Sequence, residues 1–232
     1  MPRQVSFNDL FNTTFEEIGA NRAACLVFLA LAVPLGVLPL VAFDTAVPDG
    51  DGVFGLIAAG AVPITLFLAA MLVGMVVQFW FTTAMLRRSL EPDFGPLLAY
   101  LGISLLSSFA LAVGFLLLVV PGVILLVRWI MVMPLVIENR VPAMDSFAES
   151  WARTEGSGWA IFGTLAVLLV VILMLNGAGS VLSGLIVQDA RIAAWLIESF
   201  ASQAGTILST AAGIAAYRWL GDSTREIEDV FA

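Results

Sequence analysis

Lysine and histidine are both missing from this chain of 232 residues, and cysteine occurs once. All ten cations are therefore arginines. Without an imidazole, the commonest general base and the commonest zinc ligand are excluded together. The lone Cys25 excludes an internal disulfide and a thiolate metal site. Charge is scarce as well: 12% of residues are charged, about half the ~25% of a soluble domain. The net charge of −8 with no basic run argues against nucleic acid, whose phosphates need clustered cations. No glycine-rich phosphate loop follows a strand, since no strand is evident. The carboxylates are scattered through loops and termini, so no catalytic activity and no cofactor are expected.

What is present is apolar. Hydrophobic residues make up 60% of the chain, and the mean hydropathy is +1.01. Too few polar side chains remain to cover a water-facing surface, so lipid must cover part of it. The expected class is an all-α integral membrane protein. A hydrocarbon core of ~30 Å takes about 20 helical residues to cross. Six stretches come close: Ala23–Phe43, Val53–Leu86, Leu97–Val120, Gly122–Ile137, Ala160–Val187 and Ile192–Trp219. Pro63 and the Asn176–Ser180 stretch "NGAGS" are the expected irregular points, with residues 177–190 open to a helical, re-entrant or loop reading. Pro121-Gly122 is expected to turn the third span tightly into the fourth. The start of the chain lacks the basic region and short apolar core of a cleaved signal peptide, so the first span is expected to stay.

The arginines set the expected orientation. Arg3, Arg22, Arg87, Arg88, Arg140, Arg153, Arg218 and Arg225 fall on one side, and Arg191 falls on the other with the acidic "DTAVPDGDG" at 44–52. Both termini are then cytoplasmic, with residues 1–22 an amphipathic entry and 220–232 a short tail to a single membrane domain, 1–232. Two interfacial amphipathic helices are expected, near 6–19 and 142–155. In the first, Phe7, Leu10, Phe11, Phe15 and Ile18 share a face, and Ser6 with Asp9 fits a capping box. In the second, Met144, Phe147, Ala148 and Trp151 share one, behind Pro142.

Arg128 interrupts the fourth span. It lies about 10 Å from Pro121, and its side chain is expected to lean towards the outer face. Glu198 follows Arg191 at the same spacing in the sixth span, which runs the same way. A pair between Arg128 and Glu198 is expected, with Asn176, Gln203, Gln188 and Asp189 able to join a polar patch. A structural clamp is the first reading of that cluster, and an ion or solute site the second. Small residues four apart, Ala201, Gly205, Ser209 and Gly213 in one span and Ser104, Ser108 and Ala112 in another, suggest close packing within the bundle.

The segment from Pro121 to Gly158 carries a resemblance. It reads "PGVILLVRWIMVMPLVIENRVPAMDSFAESWARTEGSG", with Pro121, Gly122, Arg128, Pro134, Glu138, Ser150, Trp151 and Gly156 as its marked positions. It resembles the signature of the glycerophosphoryl diester phosphodiesterase membrane-domain family and its YciC-type inner-membrane relatives. The resemblance implies a multi-helix membrane domain, attached in some relatives to a hydrolytic domain. The tail at 220–232 is too short for such a domain, so the family name is not expected to carry an activity here. The expected protein is a non-enzymatic accessory or scaffold in envelope or lipid physiology, in the bacterial inner membrane. A small-solute transporter or channel built on Arg128 and Glu198 is the alternative. Membrane lipids are the expected partners, with a membrane-protein partner or a second copy left open.

Overall fold

The computed structural model describes residues 6–46, 61–139, 142–186 and 190–231. Among these residues the chain is helical throughout, with no strand. The elements are α1 (Phe7–Ala20), α2 (Arg22–Ala46), α3 (Ala61–Arg87), α4 (Leu97–Leu117), α5 (Val119–Arg128), α6 (Val132–Asn139), α7 (Ala143–Arg153), α8 (Gly158–Gly184) and α9 (Arg191–Phe231). Arg3, Asp49, Asp51, Arg140, Gln188, Asp189 and the first part of the second expected span, 53–60, lie outside the described residues.

The all-α membrane architecture expected from the sequence is present. Among the described residues five segments are long and apolar enough to cross a membrane: Arg22–Ala42, Ile64–Arg87, Leu97–Leu117, Val119–Glu138 and Gly158–Gly184. The sixth expected span lies within α9 and is not among those five. Glu198, Gln203 and a run of Gly, Ser, Thr and Ala make it less apolar than the others.

One expected irregularity is regular, and the one expected at Pro63 borders residues outside those described, two residues from the start of α3. The "NGAGS" stretch continues through α8 as helix to Gly184. The turn expected at Pro121-Gly122 comes three residues earlier. Leu118 is extended, at φ −162° and ψ 142°, and α5 restarts at once. Pro121 is thus the third residue of a helix rather than the corner.

Gly122 has a different task. A Cβ at Gly122 would lie 2.6 Å from the Phe115 ring, and one at Gly114 would lie 3.2 Å from the Gly122 Cα. The backbones of α4 and α5 approach closely here because neither residue has a side chain. Gly122→Ala is expected to destabilise by about 1 kcal/mol or more through overpacking. Adding Phe115→Leu in the same chain is expected to recover most of it, read by unfolding in detergent micelles. Equal midpoints for Gly122→Ala and wild type would remove this reading.

The chain forms two compact units. One comprises Met1–Arg22, Thr82–Val170 and Ile207–Ala232, and the other comprises Ala23–Phe81 and Val171–Thr206. The first unit is centred on Leu10, Val127, Met131, Leu135, Ile161, Ala215, Ala216 and Leu220, all buried. Beside them Ile103, Val132 and Val136 form a smaller cluster, with the Trp129 and Phe147 rings 4.6 Å apart. In the second unit Phe28 stacks on Phe81 at 4.2 Å, both buried. Small residues again allow close contact there. A Cβ at Gly205 would meet Ile172 at 3.0 Å, and one at Gly179 would meet Ala201 at 2.9 Å.

Helix α1 leaves part of its expected apolar face on the outside and buries the row beside it. Its buried positions are Leu10, Thr14 and Glu17, with Asn21 closing the helix, while Phe7 and Phe15 are exposed. The Phe7, Phe11 and Phe15 rings form a ladder along the outside. The expected capping box is absent: Ser6 is the N-cap residue, but its side chain makes no capping hydrogen bond. Burial follows a polar row because that row finds charged partners.

Candidate functional site

The fourth span is broken at its arginine. Helix α5 ends at Arg128, residues 129–131 turn, and α6 begins at Val132. Pro134 supplies the reason. In a continuous helix its ring would press on the Ile130 carbonyl and delete a hydrogen bond, at a cost of about 3 kcal/mol. With the break, Pro134 becomes the third residue of a new helix, where neither penalty applies.

The freed backbone groups are taken up locally. The Val132 N–H donates to the Trp129 carbonyl at 3.1 Å, three residues back instead of four. That leaves the Arg128 carbonyl, which accepts from the Ser150 hydroxyl at 2.6 Å. Ser150 is fully buried on α7. The Ile130 carbonyl faces Gly213, where an added Cβ would lie 3.1 Å from the oxygen. Non-helical backbone at membrane depth is tolerated where protein groups satisfy it in this way.

The Arg128 side chain is held by the end of α7. Its Nη1 donates to the Trp151 carbonyl and to the Thr154 hydroxyl, each at 3.4 Å. Its Cζ lies 5.2 Å from the centroid of the Trp151 ring. Thr154 caps α7 and is fully buried, and its own hydroxyl donates back to the Ser150 carbonyl at 2.9 Å. The partial negative charge of a helix C-terminus, about half an elementary charge, thus faces the guanidinium. Gly156, at φ +81°, takes the left-handed turn that leads from α7 into α8.

Beside this arginine lies a groove of about 750 Å³. Its long wall is Val119, Val120, Val123, Ile124 and Val127, and its far side is Trp159 and Phe162. Arg128 is the only ionisable group in the lining. Trp159 is 86% exposed, which in a membrane protein marks a side chain offered to lipid or headgroups.

Of the residues expected in one polar cluster, Arg128 belongs to the first unit and Glu198 to the second, and each has partners within its own. Glu198 accepts from the Ser183 hydroxyl at 2.6 Å. The Asn176 amide donates back to the Ile172 carbonyl at 2.8 Å. Gln203 lines a cavity of about 280 Å³ with Gly36 and Gln78. Glu198, Asn176 and Gln203 share no hydrogen bond among the described residues, so this part of the expected cluster is not assembled. The family-like positions fare otherwise. Arg128, Ser150 and Trp151 meet directly, Gly156 lines the same groove, and Pro134 explains the break. Glu138 is exposed near the end of α6.

Residues 100–216 match the family described as the membrane domain of glycerophosphoryl diester phosphodiesterase. The chain belongs to this family. No curated protein and no solved structure matches it. The matched segment of this membrane domain contains the broken helix, α7 and the whole groove.

A second charged centre lies outside the match and was missed in the sequence. Glu17 on α1 has 4% of its side chain exposed. Its Oε1 lies 3.1 Å from Arg88 Nη2 and 3.1 Å from Arg218 Nε, and its Oε2 lies 3.4 Å from Asn21 Nδ2. Arg218 Nη2 also donates to the Leu86 carbonyl at 3.0 Å. Arg88 occupies the left-handed position that closes α3, at φ +54°, with the Ser89 N–H reaching back to the Ala84 carbonyl. Glycine usually takes that position, and arginine here gains a carboxylate in exchange. The available signal was the spacing of Leu10, Thr14, Glu17 and Asn21, which a purely apolar search of the helix passes over.

Proposed function

We propose that this family member is a non-enzymatic accessory protein that engages membrane lipid through the groove beside Arg128. The observation that supports it is the make-up of that site: one guanidinium, an apolar wall and two tryptophans, with no nucleophile paired to a base. Hydrolysis of a phosphodiester requires an activated water or nucleophile, and this lining offers none. We place the protein in a bacterial inner membrane with both termini cytoplasmic, from the bias of the arginines, and α9 then serves as a sixth span.

The experiment is turnover of glycerophosphodiesters by the purified chain, run beside a lipid-retention measurement. Retained lipid without turnover is the expected result, and hydrolysis would overturn the reading. Reporters fused after Asp49 and after Glu155 are expected to report opposite sides of the membrane.

One observation favours a second reading, a small-solute transporter: broken helices line solute sites in many carriers. Cysteines at 128, 176 and 198 in a Cys25→Ser background separate the two. Reaction of all three with a membrane-impermeant thiol reagent favours a water-filled path. Protection favours the lipid-engaging accessory.

A further inference from the structure

We propose that the groove holds one anionic phospholipid from the surrounding bilayer, its phosphate on Arg128 and an acyl chain along α5. This rests on the reading of the chain as a lipid-engaging protein and names the lipid. Arginine carries five N–H donors in a planar fork that matches phosphate oxygens in pairs. In Arg128 only Nη1 is engaged among the described residues, by two long contacts of 3.4 Å. Nε and Nη2 form the edge of the fork left for a ligand.

The charge balance favours an anion. The end of α7 offsets about half of the guanidinium charge, so the site stays positive. Glu149 on α7 is paired with Arg153, and Glu155 just past its end is exposed and does not line the groove. No carboxylate lines the groove.

The remainder of the groove fits a lipid better than a free ion. From Val119 to Arg128, α5 runs about 14 Å at roughly 1.5 Å per residue. That is about half of a ~30 Å hydrocarbon core, a length comparable to one acyl chain. Val119, Val120, Val123, Ile124 and Val127 offer only methyl groups along that length. Trp151, its ring centroid 5.2 Å from the Arg128 Cζ, adds an amphipathic ring at the arginine end, and Trp159 lines the same groove. A small hydrated anion would use the guanidinium and leave this wall unused.

The test is native mass spectrometry of the full chain released from micelles doped with phosphatidylglycerol, phosphatidylethanolamine or diacylglycerol. Wild type is expected to retain one phosphatidylglycerol, with about tenfold preference over the other two, the size of one charge-assisted hydrogen bond. Arg128→Gln is expected to keep lipid but lose the preference. Ile124→Trp, which fills the groove and leaves the arginine, is expected to lose retention. Equal retention of all three lipids by wild type would overturn the assignment of an anionic lipid while leaving lipid engagement standing. Retention of none would overturn both. Displacement of phosphatidylglycerol by millimolar inorganic phosphate would show a free-anion site and overturn the lipid. So would an unchanged preference in Arg128→Gln.

Discussion

Glu17→Ala is expected to lower the stability of the folded chain by about 3–5 kcal/mol, the usual loss when one partner of a buried ion pair is removed. Among the described residues Glu17 lies against both Arg88 and Arg218, and it is almost wholly buried. Without it, two guanidiniums are left close together around an apolar alanine. The ties from α1 to the end of α3 and to α9 are lost together. Glu17→Gln keeps the shape and one acceptor but not the charge, and is expected to fall between alanine and wild type. Arg88→Ala is expected to cost within about 1 kcal/mol, because its side chain is 54% exposed. The readout is the unfolding midpoint in micelles. A Glu17→Ala protein as stable as wild type would mean that the two arginines are satisfied elsewhere and that α1 is held by its apolar contacts alone.

Ser150→Ala is expected to cost about 1–3 kcal/mol, the price of leaving the Arg128 carbonyl without its donor. The hydroxyl donates to the end of α5 at 2.6 Å, and alanine removes that donor with little change of volume. Ser150→Thr keeps the donor and is expected to recover part of the loss. The loss is also expected to have a second sign. Since the same turn of α7 presents the Trp151 carbonyl and Thr154 to the guanidinium, Ser150→Ala is expected to weaken anionic-lipid retention several-fold without any contact to lipid. Stability and lipid preference that both match wild type would show that α7 does not brace the break.

The sequence carried the class of fold and singled out Arg128, and both follow from the same physical fact. An apolar composition leaves lipid as the solvent, and a cation in an apolar run then stands out. The partners Arg128 has within its own unit were not legible. Pro134 breaks the fourth span, so Arg128 ends a helix and meets the C-terminus of α7. The break could have been suspected from Pro134 alone, six residues after the arginine. The role of Ser150 could not, since a hydroxyl that reaches a freed carbonyl on another helix leaves no trace in spacing. In α1 the apolar face was legible but the role of Glu17 was not, because its partners Arg88 and Arg218 are distant in the chain. The five apolar spans were legible because each is long and nearly free of charge. α9 was less so, since packing of its small residues against neighbours, as at Gly205 and Gly213, replaces apolarity as the reason for burial.

Amide hydrogen exchange across residues 119–139, read by mass spectrometry on the chain in lipid nanodiscs, tests the broken span most directly. The amides of Ile130 and Met131 are expected to exchange measurably faster than those of Val123–Val127 and Val136–Glu138, and faster still in Ser150→Ala. Uniform protection from one end of the segment to the other would mean an unbroken helix at Arg128, and would contradict the site built on it.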